Sequence, residues 1–205
     1  IVELDVKAEA GGVVHRTLRE SGNRVEGGMP LIVGLKRDGE PGRVPVADDQ
    51  IIPKDRVAIA TAGESSFNRI LRIFGHEQID FPERPRVVIF GAGLIGTRLA
   101  KAWLDSNAIV TVVESNLEAA NILAGSDLGN HKDIEIIHGD HLDKDLLSEI
   151  EISSHDLAIS ALDNDHESIA AVLLASDMGV ERTGLILYDA DLVNVVRRMG
   201  ITFSV

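Results

Sequence analysis

Gly91-Ala92-Gly93-Leu94-Ile95-Gly96 has the spacing G-x-G-x-x-G, whose chemistry is the capture of a phosphate by backbone N–H groups rather than by charged side chains. Its setting gives the motif its meaning. It directly follows the apolar run Arg86-Val87-Val88-Ile89-Phe90 and opens a helical pattern, as a dinucleotide-binding turn requires. Gly91 permits the sharp strand-to-helix turn, Gly93 lets a phosphate approach the backbone, and Gly96 lets the helix pack against the sheet. The exposed N–H groups of Ala92, Leu94 and Ile95, with the helix dipole behind them, complete an anion site. An acid follows 23 positions after Gly91: Glu114 closes the run Ile109-Val110-Thr111-Val112-Val113. A carboxylate there accepts hydrogen bonds from ribose hydroxyls and repels a 2′-phosphate. The following Ser115 and Asn116 supply no cation, so NAD(H) or an adenosine nucleotide is expected over NADP.

Two other clusters carry polar chemistry. His138-Gly139-Asp140-His141 admits two readings. Two imidazoles around a carboxylate could ligate a metal, with His131, Asp143 or His155 completing the set. Alternatively Gly139 makes a turn and Asp140 caps a helix or meets an adenine edge. Ala161-Leu162-Asp163-Asn164-Asp165-His166-Glu167 lies at the carboxyl end of another strand, where Asp163 or Asp165 is expected to cap the next helix. His15 has no acid or Ser partner at useful spacing, and a structural or surface role on a short helix is expected. No proton donor for hydride transfer emerges. The chain reads as a ligand sensor rather than an enzyme, with a fragment of an NAD-dependent dehydrogenase as the alternative.

The elements that hold these residues form two modules. In the second, strands at 86–90, 108–113, 134–138, 157–161 and 184–188 alternate with helices at 94–106, 117–124, 144–150, 167–178 and 190–199. The last helix would place Leu192, Val195 and Val196 on one stripe. Alternation of this kind predicts an α/β Rossmann-type fold, a doubly wound parallel sheet covered on both faces. The first module reads as a small α+β lobe, β-α-β-β-β-α. Its strands are expected at 1–6, 29–35, 43–46 and 56–61, and its helices around Val13–Leu18 and over 64–74, with an Asp38-Gly39 turn. The boundaries are set at 1–77, a linker over 78–85 and 86–205. Gly200-Ile201-Thr202-Phe203-Ser204-Val205 reads as the start of a strand, which suggests an excerpt of a longer protein.

Composition narrows the partners. A formal charge of -13, from 20 basic and 33 acidic residues, argues against nucleic acid. The first 83 residues carry a net -3 and the remainder -10. The absence of cysteine excludes disulfides and thiolate metal sites, and no apolar run approaches the length of a membrane span.

Val87-Val88-Ile89-Phe90-Gly91-Ala92-Gly93-Leu94-Ile95-Gly96, then Val112-Val113-Glu114, His138-Gly139-Asp140 and Asp165-His166-Glu167 together resemble the nucleotide-binding lobe of RCK (regulator of K+ conductance) domains. Leu35-Lys36-Arg37-Asp38-Gly39-Glu40, Ile51-Ile52-Pro53-Lys54-Asp55-Arg56-Val57 and Leu71-Arg72-Ile73-Phe74-Gly75 resemble the C-terminal lobe of that family. A C-terminal lobe ahead of an N-terminal one is similar to the middle of the tandem TrkA-type regulatory subunits of bacterial Trk potassium uptake. The resemblance implies a cytoplasmic homo-oligomeric ring that binds NAD, NADH, ATP or ADP. It also implies a membrane potassium transporter as partner, with the ring peripheral at the inner face of the membrane. By the same resemblance, Gly91, Gly93 and Gly96 match the phosphate loop, Glu114 the ribose acid and Asp140 the acid after the third strand, with His141 beside it in the cofactor site, and Ala161 begins the loop facing the cofactor. Two departures stand out: many relatives carry a basic residue near the end of the fifth strand, where this chain has Leu187-Tyr188-Asp189, and many carry Asn where it has Ser168.

Overall fold

The computed structural model describes residues 2–60, 64–76, 81–199, 201 and 203–204. The chain divides into two compact units, Ile1–Asp80 and Phe81–Val205.

In the first unit an antiparallel sheet is built from β1 (Val2–Asp5), β3 (Ile32–Lys36) and β5 (Arg56–Ile59), with β5 central. A two-residue ladder joins β2 (Arg16–Thr17) to β4 (Gln50–Ile51). The core gathers Val6, Val13, Ile51, Val57, Ile59 and Phe74, and α2 (Glu64–Ile73) contributes Ile70 to it. The first helix is shorter than its apolar spacing suggests. Val13 and Val14 are buried in a turn, and His15 is exposed with a φ of 61°. The helix α1 spans only Leu18–Gly22, because Thr17 and Glu20 close a reciprocal capping box that fixes its start.

The return strand expected at 43–46 is reduced to a single bridge between Leu35 and Arg43. Asp49 explains why. Its carboxylate accepts both terminal nitrogens of Arg43 at 2.6 Å and the Val46 N–H at 2.6 Å, folding the segment onto itself instead of along β3. Pro45 has no N–H to continue a ladder. The last residue of the strand expected at 56–61 and residues 78–80 of the 78–85 linker lie outside the described residues.

The second unit is a six-stranded parallel sheet in the order β11-β10-β9-β6-β7-β8. These strands are β6 (Arg86–Phe90), β7 (Ile109–Glu114), β8 (Ile134–His138), β9 (Leu157–Ser160), β10 (Thr183–Leu185) and β11 (Phe203–Ser204). Between them run α3 (Leu94–Asp105), α4 (Leu117–Ala124), α5 (Lys144–Glu149), α6 (Asp165–Asp177) and α7 (Val193–Arg198). Alternate side chains feed opposite faces. Val87, Ile89, Val110 and Val112 pack with Ala100, Leu104 and Leu123 on one side, and Val88, Phe90, Val113 and Ala158 with Leu147, Ala171 and Ala175 on the other. The sheet is thus dry on both faces, and ligand chemistry is confined to its ends. Because β6 lies between β7 and β9, the chain leaves it in opposite directions. A crevice opens at its carboxyl end, the usual ligand position of such sheets.

Most of the other bounds agree within one or two residues, and two elements depart further from theirs. The fifth strand stops at Leu185, because the N–H groups of Tyr188 and Asp189 bond the Asp165 carboxylate rather than a neighbouring strand. A 3₁₀ turn over Ala190–Leu192 precedes α7; Val196 is buried, Leu192 half-buried and Val195 exposed, so Val195 leaves the expected apolar stripe.

The Asp49 clamp sets an acid limit on the first unit. The Arg43 guanidinium foremost, then the Val46 N–H, hold its carboxyl down to about 2, against an ordinary value of 3.8. A carboxyl lowered by folding stabilises fully above its unfolded value and loses that contribution as pH falls through the folded one. Urea midpoints should therefore drop between roughly pH 4 and pH 2. Asp49→Asn should be less stable at pH 7 and show a smaller acid loss.

Candidate functional site

The glycine turn sits at the carboxyl end of β6, and its three glycines do different work. Gly91 has a φ of 102°, and its N–H donates to Val113 O at 2.9 Å. A side chain there would press on the Ala161 carbonyl oxygen at 3.0 Å. At Gly96 a methyl group would collide with the Gly91 carbonyl oxygen. These two glycines let α3 start hard against the strand. Gly93 is different: it is exposed, has ordinary dihedrals, and a Cβ on it meets nothing within 4 Å. The fold does not need a glycine at that point, and the space in front of it is open.

Gly93 is also the N-cap of α3 and offers no side chain to the first-turn N–H groups of Leu94, Ile95 and Gly96. Four other helix starts are closed. Thr17, Asn116, Asp143 and Asn164 cap α1, α4, α5 and α6 with side-chain oxygens. Thr97 anchors the turn from behind: its N–H donates to Gly93 O and its hydroxyl to Ala92 O. The result is a rigid helix start whose outward donors are free to meet an anion.

Glu114 reaches this turn directly. Its Oε2 accepts the Ala92 N–H at 2.6 Å and its Oε1 the Asn116 N–H at 2.7 Å, so one carboxylate ties the glycine turn to the end of β7. An ionised carboxylate has about four acceptor sites, so two contacts leave capacity for hydroxyl donors. The sequence placed Glu114 opposite a ribose; its second task, holding Ala92, was not foreseen, since spacing carries no sign of it.

The remaining predicted residues spread along the carboxyl edge. Ser115 is exposed, and its carbonyl oxygen lies 3.1 Å from His138 Nε2. Asp140, also exposed, follows the edge strand β8; its Oδ1 accepts the Leu142 N–H at 2.8 Å, while Gly139 N donates to Glu114 O. His141 does not open onto the crevice. Its ring is buried, with its centroid 6.4 Å from that of Phe90. Ala161 is buried beside Gly91 and donates its N–H to Phe90 O at 2.9 Å, so the loop after β9 begins against the glycine turn. Ser168 is fully buried, and its hydroxyl points to Leu162 O at 3.4 Å within that loop.

Asn164, rather than Asp163 or Asp165, caps α6, accepting the N–H groups of His166 and Glu167. Asp165 instead binds the backbone after β10. An Asp-Asn-Asp run leaves the choice of cap open in sequence. The metal reading finds no assembly, for its ligands are engaged apart. Asp143 caps α5, and His131 Nδ1 accepts the Asp133 N–H. His155 is buried near Thr111 Oγ1, and burial foremost, then the Arg86 charge, pushes its pKa down. Among the described residues no group of three His, Asp or Glu is arranged to hold a metal.

A doubly wound sheet with an uncapped glycine turn at its switch point defines a Rossmann-type domain. The chain belongs to the TrkA-N domain family, whose model matches residues 87–205. It is 31% identical over 172 residues to the Trk system potassium uptake protein TrkA of Azorhizobium caulinodans, covering 83% of this chain and 36% of that protein. It is similar in fold to the GsuK RCK domain, with a TM-score of 0.55 and 20% identity over 99% of this chain and 41% of that one. The GsuK channel bound to NAD gives a TM-score of 0.56 and 18% identity, covering 99% of this chain and 34% of that one. The chain spans about a third of the length of the curated relatives it matches.

The division of labour among the glycines is directly measurable by urea unfolding. Gly93→Ala should cost no more than about 1 kcal/mol, the loss from exchanging a glycine N-cap for alanine, since an added Cβ meets nothing within 4 Å. Gly96→Ala should cost at least about 2 kcal/mol through overpacking. Equal losses at the two positions would contradict the geometry.

Proposed function

We propose that the second unit binds NAD(H) or ATP/ADP at the α3 start, as part of a non-catalytic regulatory subunit of a potassium uptake system. The observation that carries this reading is the uncapped start of α3 beside Gly93, where backbone donors face open space and a glycine serves no need of the fold. A phosphate is the group such donors suit, and Glu114 stands beside them to take ribose hydroxyls. Residues 91–96, 114–116, 139–143 and 161–165 contain no Lys or Arg, so binding rests on backbone dipoles. Charges beyond about 8 to 10 Å are screened at physiological salt, which limits the effect of the unit's overall acidity.

The relatives' names, which speak of potassium uptake, and the NAD-bound GsuK channel support the wider reading. In it Ile1–Asp80 is a C-terminal-type lobe preceding a second nucleotide-binding lobe. The intact protein forms a cytoplasmic homo-oligomeric ring on the inner face of a membrane potassium transporter, and ligand exchange changes the ring and so the transporter. Nucleic acid is no partner.

Calorimetry of the intact protein with NAD, NADH, ATP and ADP tests the site. At least one should bind below millimolar. Gly93→Val should abolish that binding without unfolding the protein, by filling the phosphate position. Glu114→Ala should weaken it about tenfold, the value of one charge-assisted contact. No binding by any of the four, or normal affinity in Gly93→Val, would refute the assignment. Turnover with a hydroxy or amino acid and NAD would favour the dehydrogenase alternative.

A further inference from the structure

Neither ring nitrogen of His141 has a hydrogen-bond partner, and both are closed to solvent. A neutral imidazole always holds one donor and one acceptor, so leaving both unmet in the interior is unfavourable and uncommon. One group stands just out of reach: Glu167 Oε2 lies 3.9 Å from His141 Nε2, at the head of α6 and half exposed. That separation is too long for a hydrogen bond and short enough for a small side-chain rotation to close.

We infer that His141 and Glu167 form a proton-operated latch between the loop after β8 and the head of α6. A proton on the imidazole turns its acceptor nitrogen into a second donor and gives it a charge that draws in the Glu167 carboxylate. The other polar groups on the elements that meet at the ring are already engaged. On its own loop, Asp140 accepts from Leu142 N, and Asp143 from Asp145 N and Leu146 N. On α5, Lys144 pairs with Asp177 of α6 at 3.6 Å. On β6, Phe90 is the ring's neighbour. On α6, exposed His166 adjoins Glu167 but is tied through its N–H to Asn164. Glu167 is thus the carboxylate left to answer the proton.

The latch joins two segments that flank the proposed nucleotide site, since Asp140 lies on one and the loop beginning at Ala161 leads into the other. Closing it draws these segments together and offsets the Glu167 charge beside the site, so acidification should favour an anionic ligand. That consequence rests on the nucleotide reading, whereas the latch itself does not.

Two measurements separate them. The first is thermal unfolding of the intact protein at pH 5.5 and pH 8, for the parent, Glu167→Gln, His141→Gln and the double variant. Glu167→Gln should lower Tm by about 2–4 °C at pH 5.5, do nothing at pH 8, and do nothing at either pH when His141 is Gln. Should His141→Gln fail to fold, the exposed Glu167→Gln still decides the matter, because an effect equal at both pH values overturns the latch. The second is calorimetry with NAD and ADP. Affinity should rise severalfold from pH 8 to pH 6 in the parent and stay level in Glu167→Gln. An undiminished rise in Glu167→Gln would overturn control of the site by the latch. Absence of all binding, with the thermal coupling intact, would refute the nucleotide reading and uphold the latch.

Discussion

The close seating of Gly96 over the Gly91 carbonyl is the contact on which the second unit's carboxyl edge depends. It fixes where α3 begins, and therefore where the first-turn N–H groups point. Gly91 bonds Val113 O, Ala161 bonds Phe90 O, and the loops after β7 and β9 start from the same small volume. A larger residue at either glycine would move the helix, not merely crowd a pocket. Glu114 then locks the turn from the side through Ala92. The anion site is thus a by-product of tight helix-on-strand packing, and its donors are held in place before any ligand arrives.

Acidic side chains recur as partners of backbone N–H groups. Asp49 holds Val46, Asp143 holds the head of α5, Asp165 holds Tyr188 and Asp189, and Glu114 holds Ala92 and Asn116. Each fills, within the chain, the kind of place a bound anion would take. The start of α3 takes no such side chain, so the same chemistry that gives the protein its acidity leaves this position unfilled. A net charge of -13 describes solubility better than it describes the site.

Much of this was legible in the sequence because the strongest signals are local. β6 and β8 have the expected bounds, and α4 does as well, since their apolar runs end at unambiguous turns. The first unit was harder to read. Val13 and Val14 look helical by spacing but are buried in a turn, because core packing rewards apolar residues whatever the backbone does. The return strand failed through a clamp by Asp49, whose partners lie three and six residues away and leave no periodic trace. In the site, glycine spacing located the turn, yet the tie between Glu114 and Ala92 and the burial of His141 are tertiary facts without a motif.

Asp165 sits in the first turn of α6 and grips the backbone just beyond β10. Two stretches distant in sequence therefore hang on one side chain. The segment from Ala161 to Asn164, on one side of that residue, borders the glycine turn, while the segment it grips leads into α7 and β11. A displacement of the α6 head travels to both, as the arm of a lever moves on either side of its pivot. The edge of the sheet farthest from Glu114 is in this way connected to the crevice by one carboxylate as well as through the strand pairing of the sheet itself.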